Sequence, residues 1–458
     1  MTSHVIDSAL FRDQFGTEGM RQVFGERHLI QCWLDVEAAL ARAEARAGVI
    51  PEEAAREITE AAQVDRLDFG EIKRRIDVMV HPLMPFVTVF AESCPDGTGE
   101  YVHWGATTQD IMDTACVLQL REALANIERQ LQDVMGAFAA LAERYRDTPM
   151  PGRTHGQHAL PITFGFKLAV FLAEFGRHTE RLWQLRPRLL VTQLSGAVGT
   201  MASLGEKGPA VQQHFAEELG LSAPPIAWHT ARDTLAEFTF LLGMIGATCA
   251  KAANEVIQLQ KTEVGEVEEL NTEANVGSST MPQKRNPMMC EIVVSIGRIL
   301  QQHPAVALDA MVQQHERDMS AWQAEWEFIP EVAILASGAL EQTRRIFTHL
   351  TVRPERMAAN LQLTGGLINA EAVMMALAPH IGRQRAHELV GHAARMSFET
   401  GIPFVQALRE EPAIAAVLDE EALASLLRPE AYLGESIEAV GRVLAGTGLV
   451  QNRSRGGK

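Results

Sequence analysis

Apolar side chains at Val117, Leu120, Leu124, Ile127, Leu131, Val134, Phe138 and Leu141 recur at alternating spacings of three and four residues. This is a four-heptad seam, the pattern of helices packed nearly parallel in a bundle. At 1.5 Å of rise per residue it spans about 40 Å. The remaining faces of that helix hold Ala and Leu, which predicts burial between subunits. Upstream, residues 1 to about 60 read as helical: Cys32 to Leu40 continues into an Ala/Glu/Arg-rich stretch ending near Gly48. Pro51 opens the next helix, with Glu52 and Glu53 in its first turn. Downstream, residues 164–185 and 235–261 read as long helices. Pro187 is expected to close the first of them; the second begins apolar on nearly every face, which implies deep burial. A further helix from Glu291 to about Gln302 is expected to kink at His303-Pro304, and helices continue past Pro354. Nowhere does apolar/polar alternation of period two persist, so the fold class is all-α.

The totals narrow the function. A chain of 458 residues exceeds what one core usually supports and is expected to divide into two or three domains. A net charge of −17 argues against nucleic acid, whose binders carry basic surfaces, yet it leaves room for a local basic site and an anionic substrate. The five cysteines are scattered, without metal spacing or a disulfide framework, as in a reducing cytosol. No signal peptide is read at the N-terminus. The longest uncharged apolar run, Phe238 to Ala250, is too short to span a bilayer.

Candidate chemistry gathers in a few stretches. The densest is Gly277-Ser278-Ser279-Thr280-Met281-Pro282-Gln283-Lys284-Arg285-Asn286-Pro287. Gly277 frees the backbone at one end and two prolines stiffen the other. Asn286 suits an N-cap and Pro287 the first helical position. The helix start with Lys284 beside it reads as a carboxylate site. Gly105-Ala106-Thr107-Thr108-Gln109-Asp110 reads as a turn into a helix, capped by Thr108 or Asp110. Pro151-Gly152-Arg153-Thr154-His155-Gly156-Gln157-His158 crowds polar groups between Gly and Pro. His81-Pro82 and His315-Glu316-Arg317-Asp318-Met319-Ser320 complete the set.

The 277–287 run matches every fixed position of Gly-Ser-Ser-x-Met-Pro-x-Lys-x-Asn-Pro, and the chain resembles the fumarase/aspartase superfamily over nearly its whole length. The resemblance implies an L-aspartase-like all-α fold of three helical domains, at about 1–111, 112–360 and 361–458, whose long central bundle assembles into a homotetramer. It implies active sites shared between subunits, a small dicarboxylate substrate, a cytoplasmic enzyme, and no metal or organic cofactor. The family's reaction removes a proton alpha to a carboxylate and expels a group from the neighbouring carbon. By family position Ser278 is the base, His155 the proton donor with Glu291 as its charge partner, and His81 a further active-site histidine. Thr107, Thr108, Thr154, Ser279, Lys284, Asn286 and Arg317 are implied to bind substrate. Fixed cations and donors are what the doubly charged aci-carboxylate intermediate needs, and one such donor is typically worth about 2.7–4 kcal/mol.

The branch is mixed. Ala227-Trp228-His229-Thr230-Ala231-Arg232-Asp233 and the segment from Phe11 resemble carboxymuconate cycloisomerases, whereas His155-Gly156 stands where those enzymes usually carry Trp-Leu. Adenylosuccinate lyases follow their Glu-Arg-Asp-x-Ser with a second arginine for the nucleotide; here Trp326 occupies that place. The expected activity is β-elimination from a small 2-substituted succinate, an N-substituted aspartate first, releasing fumarate. Carboxymuconate cycloisomerase and adenylosuccinate lyase are the alternatives. A non-catalytic role of the crystallin type belongs to another class, and the intact Ser278, His155, Lys284 and Glu291 speak against it.

Overall fold

The computed structural model describes residues 4–270, 280, 281 and 283–447. Its long elements are all helices: Glu26–Arg46, Thr108–Arg144, Phe164–Leu189, Asp233–Gln260 and Met319–Thr348. The fold is all-α, as the periodicity requires. The described residues group into two compact units, one of Met1–Leu131, His178–Ala250 and Ile292–Glu341, the other of Gln132–Arg177, Lys251–Glu291 and Gln342–Lys458.

The heptad seam is core along its whole length. Seven of its eight side chains are at most 1% exposed and Leu141 is 8% exposed, and apolar side chains of this size each gain about 1.5–3 kcal/mol on full burial. In the first unit, Leu118 on the same helix joins Trp33, Leu34, Phe86 and Phe215 in one cluster. The rings of Trp33 and Phe86 meet edge to face at 5.3 Å. In the second unit, Phe138 stacks on Phe347 at 4.1 Å and packs against Phe175 at 5.4 Å. A separate cluster around Leu377, Phe404 and Leu408 anchors the C-terminal helices.

Asp233–Gln260 is long and apolar enough to cross a membrane, but 72% of its most apolar window is buried inside the fold. Phe240 and Met244 are its exposed large apolar side chains, 39% and 38% open.

Three local expectations are corrected. Pro187 does not close its helix, which runs on to Leu189. In the last turn the missing N–H and the ring clash disturb little, and Leu190 still donates to Arg186 at 2.9 Å. The stretch around His155 is a β-hairpin, with Pro149–Thr154 pairing antiparallel with Gln157–Thr163 and a bulge between Pro151 and Arg153. Its three prolines and the bulge erase any period-two pattern, so the strands are silent in the sequence. A second short pair joins Val267–Glu268 to Thr351–Val352. Finally, the break at His303-Pro304 separates two helices, Met288–Leu300 and His303–Ala310, with Pro304 in the first turn of the second, where a proline costs no hydrogen bond.

Candidate active site

The Thr108–Arg144 helix begins one residue after its cap. Thr107 is that cap: its C=O accepts from Asp110 N–H at 2.9 Å, and the Asp110 carboxylate reaches back to Thr107 N–H at 2.9 Å. This is one half of a capping box, the N3 carboxylate on the N-cap N–H; the cap position is Thr107, not Thr108 or Asp110 as expected, while Asp110 supplies the side-chain bond. Asp110 does more than cap. It is fully buried and also accepts from the N–H groups of Ser195 (3.1 Å) and Gly196 (2.9 Å) and lies 2.8 Å from His229 Nε2. Gly196 has φ of 74°, a left-handed geometry suited to glycine, which lets two successive N–H groups face one carboxylate. Gln109 ties in the same strand of structure by donating to His229 C=O at 2.9 Å.

Held in this way, Thr107 presents its hydroxyl to Arg317. Arg317 Nη1 donates to Thr107 Oγ1 at 2.6 Å, and Nε donates to Gln109 Oε1 at 3.2 Å. A half-buried guanidinium beside a hydroxyl at a helix start is a ready anion site. Thr108, in the first turn, is buried.

His81 belongs to the same neighbourhood. Its Nδ1 accepts from Met84 N–H at 2.9 Å and from Leu83 N–H at 3.3 Å, which leaves the proton on Nε2. Burial, with the charges of His103 and Arg317 behind it, holds its pKa below the usual histidine value. His81 is therefore a neutral ring with one N–H to offer. His103 is the opposite case and was missed in the sequence. Its Nδ1 lies 2.7 Å from the buried carboxylate of Glu37. Burial works against its charge, but Glu37 prevails and the pKa is raised. Two turns further along the same helix face as Glu37, burial, with the charge of Glu37 second, pushes the Glu44 carboxyl up to about 9. Only the spacing of seven between Glu37 and Glu44 on an otherwise apolar helix face could have signalled this pair.

The second unit carries the remaining candidates. His155 sits at the hairpin turn with φ of 53°, followed by Gly156 at 75°. His155 and Thr154 are both exposed. Below the turn, Arg153 makes a bidentate pair with the buried Glu266, at 2.6 and 2.9 Å, and Asn360 donates to the same carboxylate at 2.7 Å. The hairpin is thus anchored at its base and open at its tip. Glu291 is exposed; among the described residues no hydrogen bond or ion pair joins it to His155. Ser278 and Ser279 lie outside the described residues. Lys284 is exposed and Asn286 half-buried.

The helix start expected to receive a substrate carboxylate is already filled. Glu269 accepts from Met289 N–H at 3.1 Å and Cys290 N–H at 2.9 Å, while Met288 and Glu291 N–H donate to Asn286 and Pro287 carbonyls. A carboxylate does bind there, as the electrostatics of a helix N-terminus favour, but it is the chain's own. Among the described residues no group of three or more His, Cys, Asp or Glu is gathered to hold a metal ion.

The chain is similar to known proteins along most of its length. Residues 13–300 match a family model described as lyase, and residues 366–443 one described as adenylosuccinate lyase C-terminus. The chain is 43% identical to the 3-carboxy-cis,cis-muconate cycloisomerase of Pseudomonas aeruginosa, over 97% of each chain. It is 41% identical to the N-acetyl-S-(2-succino)cysteine lyase of Dickeya dadantii, over 98% of this chain and 100% of that one. The crystal structure of a fumarate lyase from Mesorhizobium sp. BNC1 superposes with a TM-score of 0.89 at 44% identity, covering 94% of this chain and 98% of that one.

Proposed function

Because this chain belongs to the fumarase/aspartase superfamily of lyases, we propose that it cleaves a small 2-substituted succinate, an N-substituted aspartate first, into fumarate and the free amine. The observation that supports this most directly is the Arg317–Thr107 contact at 2.6 Å, backed by the buried Asp110 anchor. It offers a fixed cation and a hydroxyl to one substrate carboxylate, without reorganisation when charge develops.

In this reading Ser278 removes the proton from the carbon alpha to one carboxylate. That carboxylate becomes the aci-dianion, held by Lys284 and Asn286. The electron pair then forms the C=C bond as the C–N bond breaks, and His155 delivers a proton to the departing nitrogen. A serine hydroxyl serves as base only where solvent is excluded and its oxyanion is surrounded by donors. His81, neutral with an Nε2–H, suits substrate hydrogen bonding better than proton delivery. The open position of His155 suits a site completed by another chain of a homotetramer, and we assign the shared-site assembly on that basis. A cytoplasmic location accords with the free thiols.

A second reading replaces nitrogen by sulfur. It is favoured by the relative named N-acetyl-S-(2-succino)cysteine lyase, which is 41% identical over nearly all of both chains. The succinyl half of the substrate is unchanged in it, so the Arg317–Thr107 contact and the base would serve both; the two readings differ in the leaving group, which for N-acetylcysteine carries a carboxylate. Replacement of Arg317 by Ala tests the common core: kcat/KM for fumarate release should fall by about 10²–10³ with the circular dichroism unchanged. A variant that releases fumarate as fast as the parent would remove Arg317 from the site.

A further inference from the structure

A cavity of about 410 Å³ lies in the same unit as the Arg317–Thr107 contact, and the segments that line it include two that continue from that contact and one that follows His81. On the Thr108–Arg144 helix, Met112, Asp113, Cys116 and Gln119 line it. They continue the face of Gln109, whose amide touches Arg317, beginning one turn, about 5 Å, further on. Pro82 lines it next to His81, and Trp322 and Trp326 line it from the helix that starts two residues after Arg317. Its volume falls within the range that holds a small organic group.

The walls are apolar and aromatic. Trp33, Trp322, Trp326, Phe24, Leu29 and Ile76 form most of them, with Trp322 and Trp326 edge to face at 5.0 Å. The charged groups in the lining are turned on one another. Arg232 Nη1 and Nη2 donate to Asp113 at 2.7 and 2.9 Å, Nε donates to Glu325 at 2.9 Å, and Trp322 Nε1 donates to Asp113 at 2.9 Å. Gln119 spends an amide N–H on Val23 C=O at 2.7 Å. Arg232 is the one cation among the lining residues, and two carboxylates oppose it. A phosphate or second carboxylate entering here would meet a net negative charge and no uncommitted cation, a desolvation cost without compensation.

We propose that this cavity receives the leaving-group end of the substrate, and that the group it takes is neutral and apolar, of about the size of a substituted aromatic ring. The proposal rests on the elimination reading for its meaning but on the cavity alone for its binding prediction. Trp326 lines the cavity and is 38% exposed, so replacing it removes less buried surface than replacing the buried Trp322 would.

The test uses succinates that cannot eliminate. Binding of succinate, 2-benzylsuccinate and 2-(4-phosphonobenzyl)succinate to the full-length protein is measured by titration calorimetry. The benzyl compound should bind at least tenfold more tightly than either of the others, and Trp326→Arg should bring the phosphonate to parity with it or beyond. Equal affinities for all three, no measurable binding, or a preference for the phosphonate in the parent protein would overturn the assignment. Fumarate release from N-benzylaspartate is followed in parallel. Tight benzylsuccinate binding without any fumarate from succinyl adducts would retain the subsite and reject the elimination reading.

Discussion

At Asp110 four donors converge on a carboxylate that has no exposed surface, while at His155 a ring stands at a hairpin tip, exposed and in a left-handed backbone geometry. The first region is finished around its carboxylate: four donors engage Asp110, and Thr107 and Arg317 are held against each other. The second is anchored only at its base, through Arg153 and Glu266. Preorganised electrostatics must be rigid before substrate arrives, whereas a group that transfers a proton needs access. The contrast teaches that the chain satisfies the carboxylate beside Thr107 internally and leaves the ring at the hairpin tip open; in the elimination proposed above these would be the anion-binding and proton-transfer groups.

The largest effect expected from breaking the open half is catalytic. Ser278→Ala and His155→Ala should each lower kcat by about 10²–10⁴. If the site is shared between chains, mixing and refolding the two variants together restores activity that neither shows when refolded alone. Mixed tetramers confirmed by mass spectrometry yet inactive would place both residues in one chain's site. Breaking the finished half should instead appear in stability. Asp110→Ala strands several buried donors and is expected to cost about 3–5 kcal/mol in denaturant unfolding. A cost under about 1 kcal/mol would mean that the loop is held by something else. Glu269→Ala, which uncaps the Met288–Leu300 helix, should cost about 1 kcal/mol, read in the same assay; a neutral result would reject the cap.

The smallest effect sharpens the comparison through pH. The pKa of His103 is raised in the fold against burial because Glu37 favours the charged ring. A raised folded pKa means that the pair's stabilisation is complete below the ordinary histidine value near 6.5 and is lost as pH rises through the folded value. Glu37→Gln should therefore destabilise the protein more at pH 6 than at pH 9. The same penalty at both would show that His103 is not charged in the native state.

The sequence disclosed what is local. The seam from Val117 to Leu141 repeats within one helix, so its period alone announces a core, and every member is buried. The signature stretch and the run of 315–320 were likewise visible because their residues are contiguous. What stayed hidden is what joins distant segments. Asp110 meets Ser195, Gly196 and His229 across separations of 85 to 119 residues, and no spacing rule reaches that far. Nothing local marks His103, because its partner Glu37 lies 66 residues away on the Glu26–Arg46 helix. The hairpin at His155 was unreadable for a different reason, since prolines supply strand geometry while removing the alternation that marks a strand. The helix start at Asn286 is favourable to a carboxylate, but the occupant is Glu269, from a segment that carries no capping pattern.

Glu268 and Glu269 together have a topological consequence. Glu268 pairs with Arg285 and Arg353, and Glu269 fastens the first turn of the Met288–Leu300 helix. The chain therefore leaves for the signature stretch and returns from it at two points pinned to the same acidic couplet. The couplet acts as a clasp: it fixes where the chain departs and where it resumes, so the geometry of those two points is set by Glu268 and Glu269 and not by the residues between them.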